Sequence, residues 1–441
     1  MRASKVKITK IILIIFYIAL FTGLALYDEK PNDEMVKETT RPLPEVIEPD
    51  NAYIAFIGFA SPKGITPYAY GAEKMRKLKD ALQDRKITGN MTNFFDDKKG
   101  ELSFVGKLPS INKSKADGTL EYASKHSDEI NQLSQKNEEL LQRYEMLYTC
   151  TRFTEPLDDG LTPPFPISSL IYKIQKMKFL QLAVRANRGD VAGVLRWVKK
   201  DSEFWQLIAR SSRTFISKTY SFSVLSNDLS FAAELGAYGH LNKKEREVLQ
   251  EILRPFDHDE INLAETILGE TRCTIKVMEN WRLSNPPKKR GFELGDLFFK
   301  QNASNNRIYA ISLEYRRLAE FPPQKFVVET KIFQSSKYYR IYRIGLPFLY
   351  NPIGEILVRI HPMFTSMIGR GHDMEGFRRL ACLKVLAGKE KVPSERMQKF
   401  LDDHAVDFAN PYTGGPMTWD PQKRSISFIG GGTKKPVEMF L

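Results

Sequence analysis

Only three cysteines occur in 441 residues, and Cys150, Cys273 and Cys382 each lie more than 100 residues from the next. At most one disulfide can form, and buried apolar thiols are the expected state of all three. No CxxC pair and no His at metal-ligand spacing accompanies them, which argues against a zinc site or a thioredoxin-like centre. HExxH, GxSxG and GxGxxG are missing as well, and with them the motif-borne chemistry of zincins, α/β-hydrolases and dinucleotide-binding enzymes. The sequence therefore predicts no cofactor and no metal. Self-similarity at a 34-residue period is also lacking, so a repeat solenoid is not expected.

A long uncharged apolar run occurs once, at the N-terminus. Ile11 to Leu26 is sixteen residues without a charge, preceded by Arg2, Lys5, Lys7 and Lys10 and followed by Asp28, Glu29, Asp33 and Glu34. Cations before the run and acids after it predict a cytoplasmic N-terminus and an exported body. Sixteen residues rise ~24 Å as a helix against a ~30 Å hydrocarbon core, a gap that Tyr27 and a snorkelling Lys10 can narrow. The one near fit to a signal-peptidase site, Gly23 with Ala25, would cut inside apolar sequence, so an uncleaved inner-membrane anchor is the expectation. The chain carries 66 basic and 53 acidic residues, net +13, and removing the four cations of the first 27 residues leaves +9 on the body. A basic body suits anionic partners such as headgroups or acidic polymers. Export makes nucleic acid the least expected of these.

Residues 28–50, with four prolines among charges, read as an extended linker. Residues 51–391 read as a helical domain and 392–441 as a small α+β appendage. Asn51 to Ala60 is a strand or a short buried helix. Pro67 to Asp84 has helical spacing, and Thr119 to Tyr148 reads as one amphipathic helix. Further helices are expected at Ser168 to Asn187, after the Arg188-Gly189-Asp190 turn, and from a cap at Asp201 or Ser202 through Trp205 to Val224. Others fall at Lys243 to Arg254, Ile261 to Arg282, Ser304 to Ala319 and His372 to Leu386. The stretch around Arg188-Gly189-Asp190 looks like a single helical hairpin of the tetratricopeptide kind. The expected fold is mainly α, a bundle of antiparallel helical hairpins with a small C-terminal β-hairpin, preceded by one transmembrane helix. In the appendage, Pro411 and Pro416 stiffen a loop around Gly414 and Gly415, and Tyr412 and Trp419 are expected to dock it on the body as a latch.

Several clusters invite a chemical reading. Asp257-His258-Asp259-Glu260 has metal or acid/base character, but consecutive side chains cannot converge from one helix face, and a helix start suits them better. His372 and Asp373, after Gly369-Arg370-Gly371, are the first catalytic candidates, because a glycine-rich turn entering a helix N-terminus can bind an anion. Ser110 and Lys113 form an SxxK whose companions fail: Ser226-Asn227-Asp228 ends wrongly and Lys218-Thr219-Tyr220 lacks its glycine. Lys337-Tyr-Tyr-Arg-Ile-Tyr-Arg343 interleaves cations with aromatics and suits a helix face or a lipid interface. Asn285-Pro-Pro-Lys-Lys-Arg290 is a basic loop.

Asn51 to Phe59, Arg188-Gly189-Asp190 with Trp205 downstream, Asn351-Pro352-Ile353-Gly354, the GRGHDMEGFRRL stretch and the closing NPYTGGP together resemble a family of uncharacterised proteobacterial membrane-anchored envelope proteins. NPYTGGP approximates a D-P-[FY]-x-G-K-P pattern, with Asn410 and Gly415 in place of the Asp and Lys. The resemblance implies a bacterial envelope location and carries over no catalytic residue. The functional expectation is an interaction or assembly protein anchored through residues 11–26, with a protein or anionic envelope partner. The alternative is an envelope hydrolase or transferase assembled from distant acids and His372.

Overall fold

Phe56 stacks on Trp205 with ring centroids 5.6 Å apart and planes 13° from parallel, and the helices of the computed structural model gather around this pair. The structure describes residues 12–17, 23, 27–83, 100–109, 118–157, 169–238, 240–284, 298–335, 348, 350–360, 364–432 and 434–441. Most of the Ile11 to Leu26 run, Ser110 with Lys113, the basic loop at 285–290 and the segment 337–343 lie outside them. Among the described residues no helix is long and apolar enough to cross a membrane.

The fold is mainly helical with a three-stranded antiparallel sheet at the C-terminus. In chain order the helices are α1 (Asp33–Thr40), α2 (Ala52–Ile57), α3 (Pro67–Gln83), α4 (Thr119–Lys125), α5 (Ser127–Lys136), α6 (Glu138–Met146) and α7 (Ser169–Asn187). Then come α8 (Val191–Ser211), α9 (Phe215–Tyr238), α10 (Lys243–Ile252), α11 (His258–Ile261), α12 (Ala264–Ser284) and α13 (Gln301–Ala319). The last are α14 (Pro323–Ser335), α15 (Pro352–Ile360), α16 (Thr365–Glu390) and α17 (Met397–Asp403).

Residues 28–50 depart from the extended linker that their prolines predict. Asn32 caps α1 by accepting from the Met35 N–H at 2.9 Å, and Asp33 and Glu34 in the first turn favour the helix dipole. Met35 is buried with Ile275 and Tyr309. Glu38 accepts from the Tyr309 hydroxyl at 3.1 Å and from Arg316 at 3.4 Å. The segment is thus fastened along α13. Asp28 lies at the start of that seam, where its carboxylate takes the N–H groups of Asn302 at 2.9 Å and Ala303 at 3.2 Å. It satisfies orphan donors of α13, which has no side-chain cap of its own.

Asn51 to Ala60 resolves as a helix. All six residues of α2 are buried, and α3 crosses it at two glycines. A Cβ on Gly58 would meet the Pro67 carbonyl oxygen, and one on Gly71 would meet that of Ile54 at 2.0 Å. Thr119 to Tyr148 is three helices, broken at His126 and Asn137. Asn137 leaves the helical path because its side chain pairs with the main chain of Val105, donating at 2.9 Å and accepting at 2.8 Å. The expected cap at Asp201 or Ser202 is also corrected. Helix α8 runs unbroken from Asp190, whose carboxylate accepts from the Gly193 N–H at 3.0 Å, and Asp201 lies buried in its interior.

The Gly369-Arg370-Gly371 turn is likewise replaced by helix, since α16 begins at Thr365. Its glycines serve close approach rather than a bend. A Cβ on Gly369 would meet Gly432 N at 2.4 Å, one on Gly371 the Ile261 carbonyl oxygen at 2.2 Å, and one on Gly376 the Phe428 ring at 2.4 Å. Phe428 belongs to the sheet of β1 (Thr418–Asp420), β2 (Ser425–Ile429) and β3 (Pro436–Phe440), so the expected hairpin gains a third strand. Trp419 pairs with Ile426 across β1 and β2, and Phe428 with Val437 across β2 and β3. Ile426, Phe428 and Met439 are buried on the core side.

Phe428 presses on a helix position that only glycine can occupy, so it carries much of the sheet's attachment. Phe428→Ala should lower unfolding free energy by about 3–5 kcal/mol in denaturant titration. An unchanged midpoint would mean that the sheet adds nothing to the stability of the helical body.

Candidate functional site

His372 and Asp373 sit side by side on α16, yet their side chains meet different surroundings. Asp373 is buried and accepts from the Tyr412 hydroxyl at 2.5 Å and from the N–H groups of Gly431 at 2.7 Å and Gly432 at 3.1 Å. Burial raises its carboxyl pKa while those donors oppose the rise. Tyr412 comes from the NPYTGGP turn, where Asn410 accepts from the Tyr412 N–H at 3.0 Å and its own carbonyl takes the Gly414 N–H at 2.9 Å. Asp373 is therefore the bolt that fixes both C-terminal loops to α16. His372 lies against Phe326, ring centroids 5.1 Å apart, and burial alone drives its imidazole down to about 4. The ring is neutral at pH 7, and its buried Nε2 has no hydrogen-bond partner.

The Asp257 to Glu260 cluster forms a capping box at α11. Glu260 is fully buried and takes Arg254 at 2.7 Å and Arg210 at 3.0 Å. His258 and Asp259 face solvent, so the four side chains do not converge. Among the described residues no group of three His, Cys, Asp or Glu is arranged to hold a metal ion. All three cysteines are free thiols, with Cys382 only half-buried. Burial pushes the Cys150 thiol up to about 11.

The most unusual chemistry lies where no motif pointed. Asp201 on α8 and Asp228 on α9 are both completely buried. Asp201 accepts from Tyr144 at 2.9 Å, Tyr148 at 3.0 Å and the Gln175 amide at 2.9 Å, and Trp205 donates to the Tyr144 oxygen at 3.0 Å. Asp228 Oδ1 shares the Gln175 amide at 3.3 Å, while its Oδ2 meets no donor. The two carboxyls interact directly, and burial followed by the charge of Asp201 raises Asp228 well above the ordinary range. An oxygen without a donor beside a carboxylate is satisfied if it carries the proton itself. Burial and the neighbouring Asp201 thus favour the protonated form of Asp228, beside an Asp201 that Tyr144 and Tyr148 hold through their hydroxyls.

A second polar knot surrounds the start of α9. Glu155 accepts from Arg213 N at 2.6 Å, Thr214 N at 3.1 Å and the Thr214 and Ser217 hydroxyls, and Glu270 accepts from Phe215 N at 2.6 Å. Burial pushes Glu270 up to about 7. Lys218, 1% exposed, donates to the carbonyls of Ala209 at 2.7 Å and Asp259 at 2.9 Å. Burial drives it down to about 7 against the pull of Asp259 and Glu260. These groups close helix ends; Glu155, Thr214, Ser217 and Lys218 are buried, and Glu270 is half-buried.

Surface clefts lie at two places among the described residues. One of about 260 Å³ has Lys384, Lys391, Arg424 and Trp419 in its wall, over Ala387 and Met397. The other, about 460 Å³, lies between Glu29, Asn306, Arg307, Tyr350 and Glu355. Its Arg307 and Glu355 are paired at 2.5 Å.

The acid pair makes a signed prediction. A carboxyl whose folded pKa is raised stabilises the fold below its unfolded pKa, 3.8 for Asp, and loses that contribution as pH climbs toward the folded value. Asp228→Asn keeps a donor toward Asp201 and removes the titration. Its stability relative to the native chain should therefore rise steadily from pH 4 to pH 8 in thermal melts. A constant difference across that range would contradict the protonated Asp228. Asp201→Ala, which strands two phenols and an amide, should cost roughly 3–5 kcal/mol at pH 7.

No family model, no curated protein and no solved structure matches this chain.

Proposed function

We propose that the chain is a bitopic envelope protein, anchored in the inner membrane by residues 11–26, with a cytoplasmic N-terminus and an extracytoplasmic body that acts in interaction or assembly. The observation that carries this reading is the helical stretch 12–17, whose Ile12, Leu13, Ile14, Ile15, Phe16 and Tyr17 are all exposed, from 47% to 63%. Six consecutive apolar side chains without protein cover are costly in water and favourable in lipid. The cations before the run and acids after it orient it.

We read α7 and α8, joined at Arg188-Gly189-Asp190 with Gly189 at φ +95°, as a tetratricopeptide-like hairpin within the bundle. The +9 body suits an anionic or protein partner in the envelope, as does the resemblance to proteobacterial envelope proteins. A hydrolase or transferase centred on His372 and Asp373 draws less support, because both Asp373 oxygens are committed to Tyr412, Gly431 and Gly432.

The full-length mass should remain in a carbonate-washed membrane fraction, and protease added to spheroplasts should digest the body. Recovery of a soluble chain beginning near Leu26 would overturn the anchor.

A further inference from the structure

The apolar run ends at Leu26, and the body takes hold of the chain one residue later. The Tyr350 hydroxyl donates to the Tyr27 carbonyl at 3.1 Å. Asp28 closes the start of α13 through Asn302 and Ala303. Asn306 donates to the Lys30 carbonyl at 2.9 Å and to Glu29 at 3.2 Å, and accepts from Asn32 N at 2.8 Å. Two extended residues reach about 7 Å. The Asp28 side chain and its hydrogen bond add about 6 Å more, so the first turn of α13 lies within about 13 Å of the end of the run.

The segments that grip Tyr27 to Asn32 also carry apolar side chains turned to solvent. Tyr27 is 60% exposed, Phe298 just before α13 is 37% exposed, and Ile356 on α15 is 52% exposed. An amphipathic Tyr beside a cation settles at the headgroup level, with Lys30 supplying the cation, and exposed Phe and Ile side chains gain from contact with the acyl boundary. Burying Asn351, which takes Lys300 N at 2.8 Å and donates to Ser304 at 2.9 Å, fixes α15 against the start of α13. The segments that carry the three apolar positions are therefore joined to one another through Asn351 and Tyr350.

We propose that the face comprising Tyr27, Phe298 and the Ile356 side of α15 lies flat on the lipid headgroups, so that the body is seated on the bilayer and not suspended above it. The inference rests on the anchoring proposed above and goes beyond it by naming the face, its occupant and the clamp that holds it there. The cleft between Glu29, Arg307 and Tyr350 then opens within the headgroup layer, where its charges can meet phosphate and ammonium groups.

The test uses the full chain, with Cys382→Ala, in phosphatidylcholine/phosphatidylglycerol vesicles that contain spin-labelled lipid. An environment-sensitive fluorophore is placed at Ile356→Cys or, for reference, at Val406→Cys, which replaces a 93% exposed side chain. The Ile356 label should shift to the blue and lose most of its emission to the lipid-borne quencher, while the Val406 label should not. Adding Asp28→Ala with Tyr350→Phe should abolish the Ile356 quenching while the chain stays in carbonate-washed vesicles. An unquenched Ile356 label on a chain that remains membrane-bound would overturn the seated face and leave the anchor standing. A chain released by carbonate would overturn both. Quenching that survives the Asp28 and Tyr350 substitutions would overturn the clamp as its cause.

Discussion

The close approach of α16 to its neighbours on two sides is the constraint on which the rest of the molecule depends. On one side Gly388 abuts Ala237 and Gly236 abuts Val385, so that α9 and α16 touch almost backbone to backbone. On the other, Gly369 and Gly376 admit the C-terminal loop and the Phe428 ring. Four glycines cost a helix roughly 1 kcal/mol each in propensity. The helix persists because tertiary contact outweighs that loss. Asp373 sits on the same helix and bolts down the loop that the glycines admit.

That arrangement explains which parts were legible in the sequence. Helical spacing of apolar residues locates α3, α7 and α13 within a few residues; α3 buries one stripe and exposes the other, whereas α7 is buried over most of its surface. The same logic failed at Gly369-Arg370-Gly371, since glycine in a sequence signals a turn and its partners, Gly432 and Ile261, lie far away along the chain. Asp201 carries a misleading cap signal for a related reason. An acid before an apolar period is a cap signal, and nothing local reveals that Tyr144, Tyr148, Gln175 and Asp228 enclose it. Asn137 broke a helix through a pairing with Val105 that no periodicity encodes. His372 and Asp373 were found as residues, but the partner that decides what Asp373 does is a glycine loop nearly sixty positions on.

The buried acid pair joins α6, α7, α8 and α9 through one set of hydrogen bonds, at the centre of the aromatic cluster around Trp205. A hydrophobic core tolerates a change of rotamer, whereas buried phenols, an amide and two carboxyls are satisfied in one arrangement. The pair therefore selects a helix register as well as contributing energy. The knot at the start of α9 does the same for the junction of α8, α9 and α12, where Lys218 holds carbonyls and Glu155 and Glu270 hold amide groups.

The capping of α13 by Asp28 spans 274 positions of sequence, and this imposes an order in time. A ribosome adds about 5–20 residues per second, so roughly 14–55 s separate the synthesis of Asp28 from that of Asn302. Throughout that interval the Asp28 carboxylate lacks the two α13 amide groups that it takes in the fold. It is available to whatever machinery handles the nascent chain, and it is withdrawn once α13 is made. The seam along α13 thus marks progress of synthesis, closing only on chains that have grown past Asn302 and Ala303.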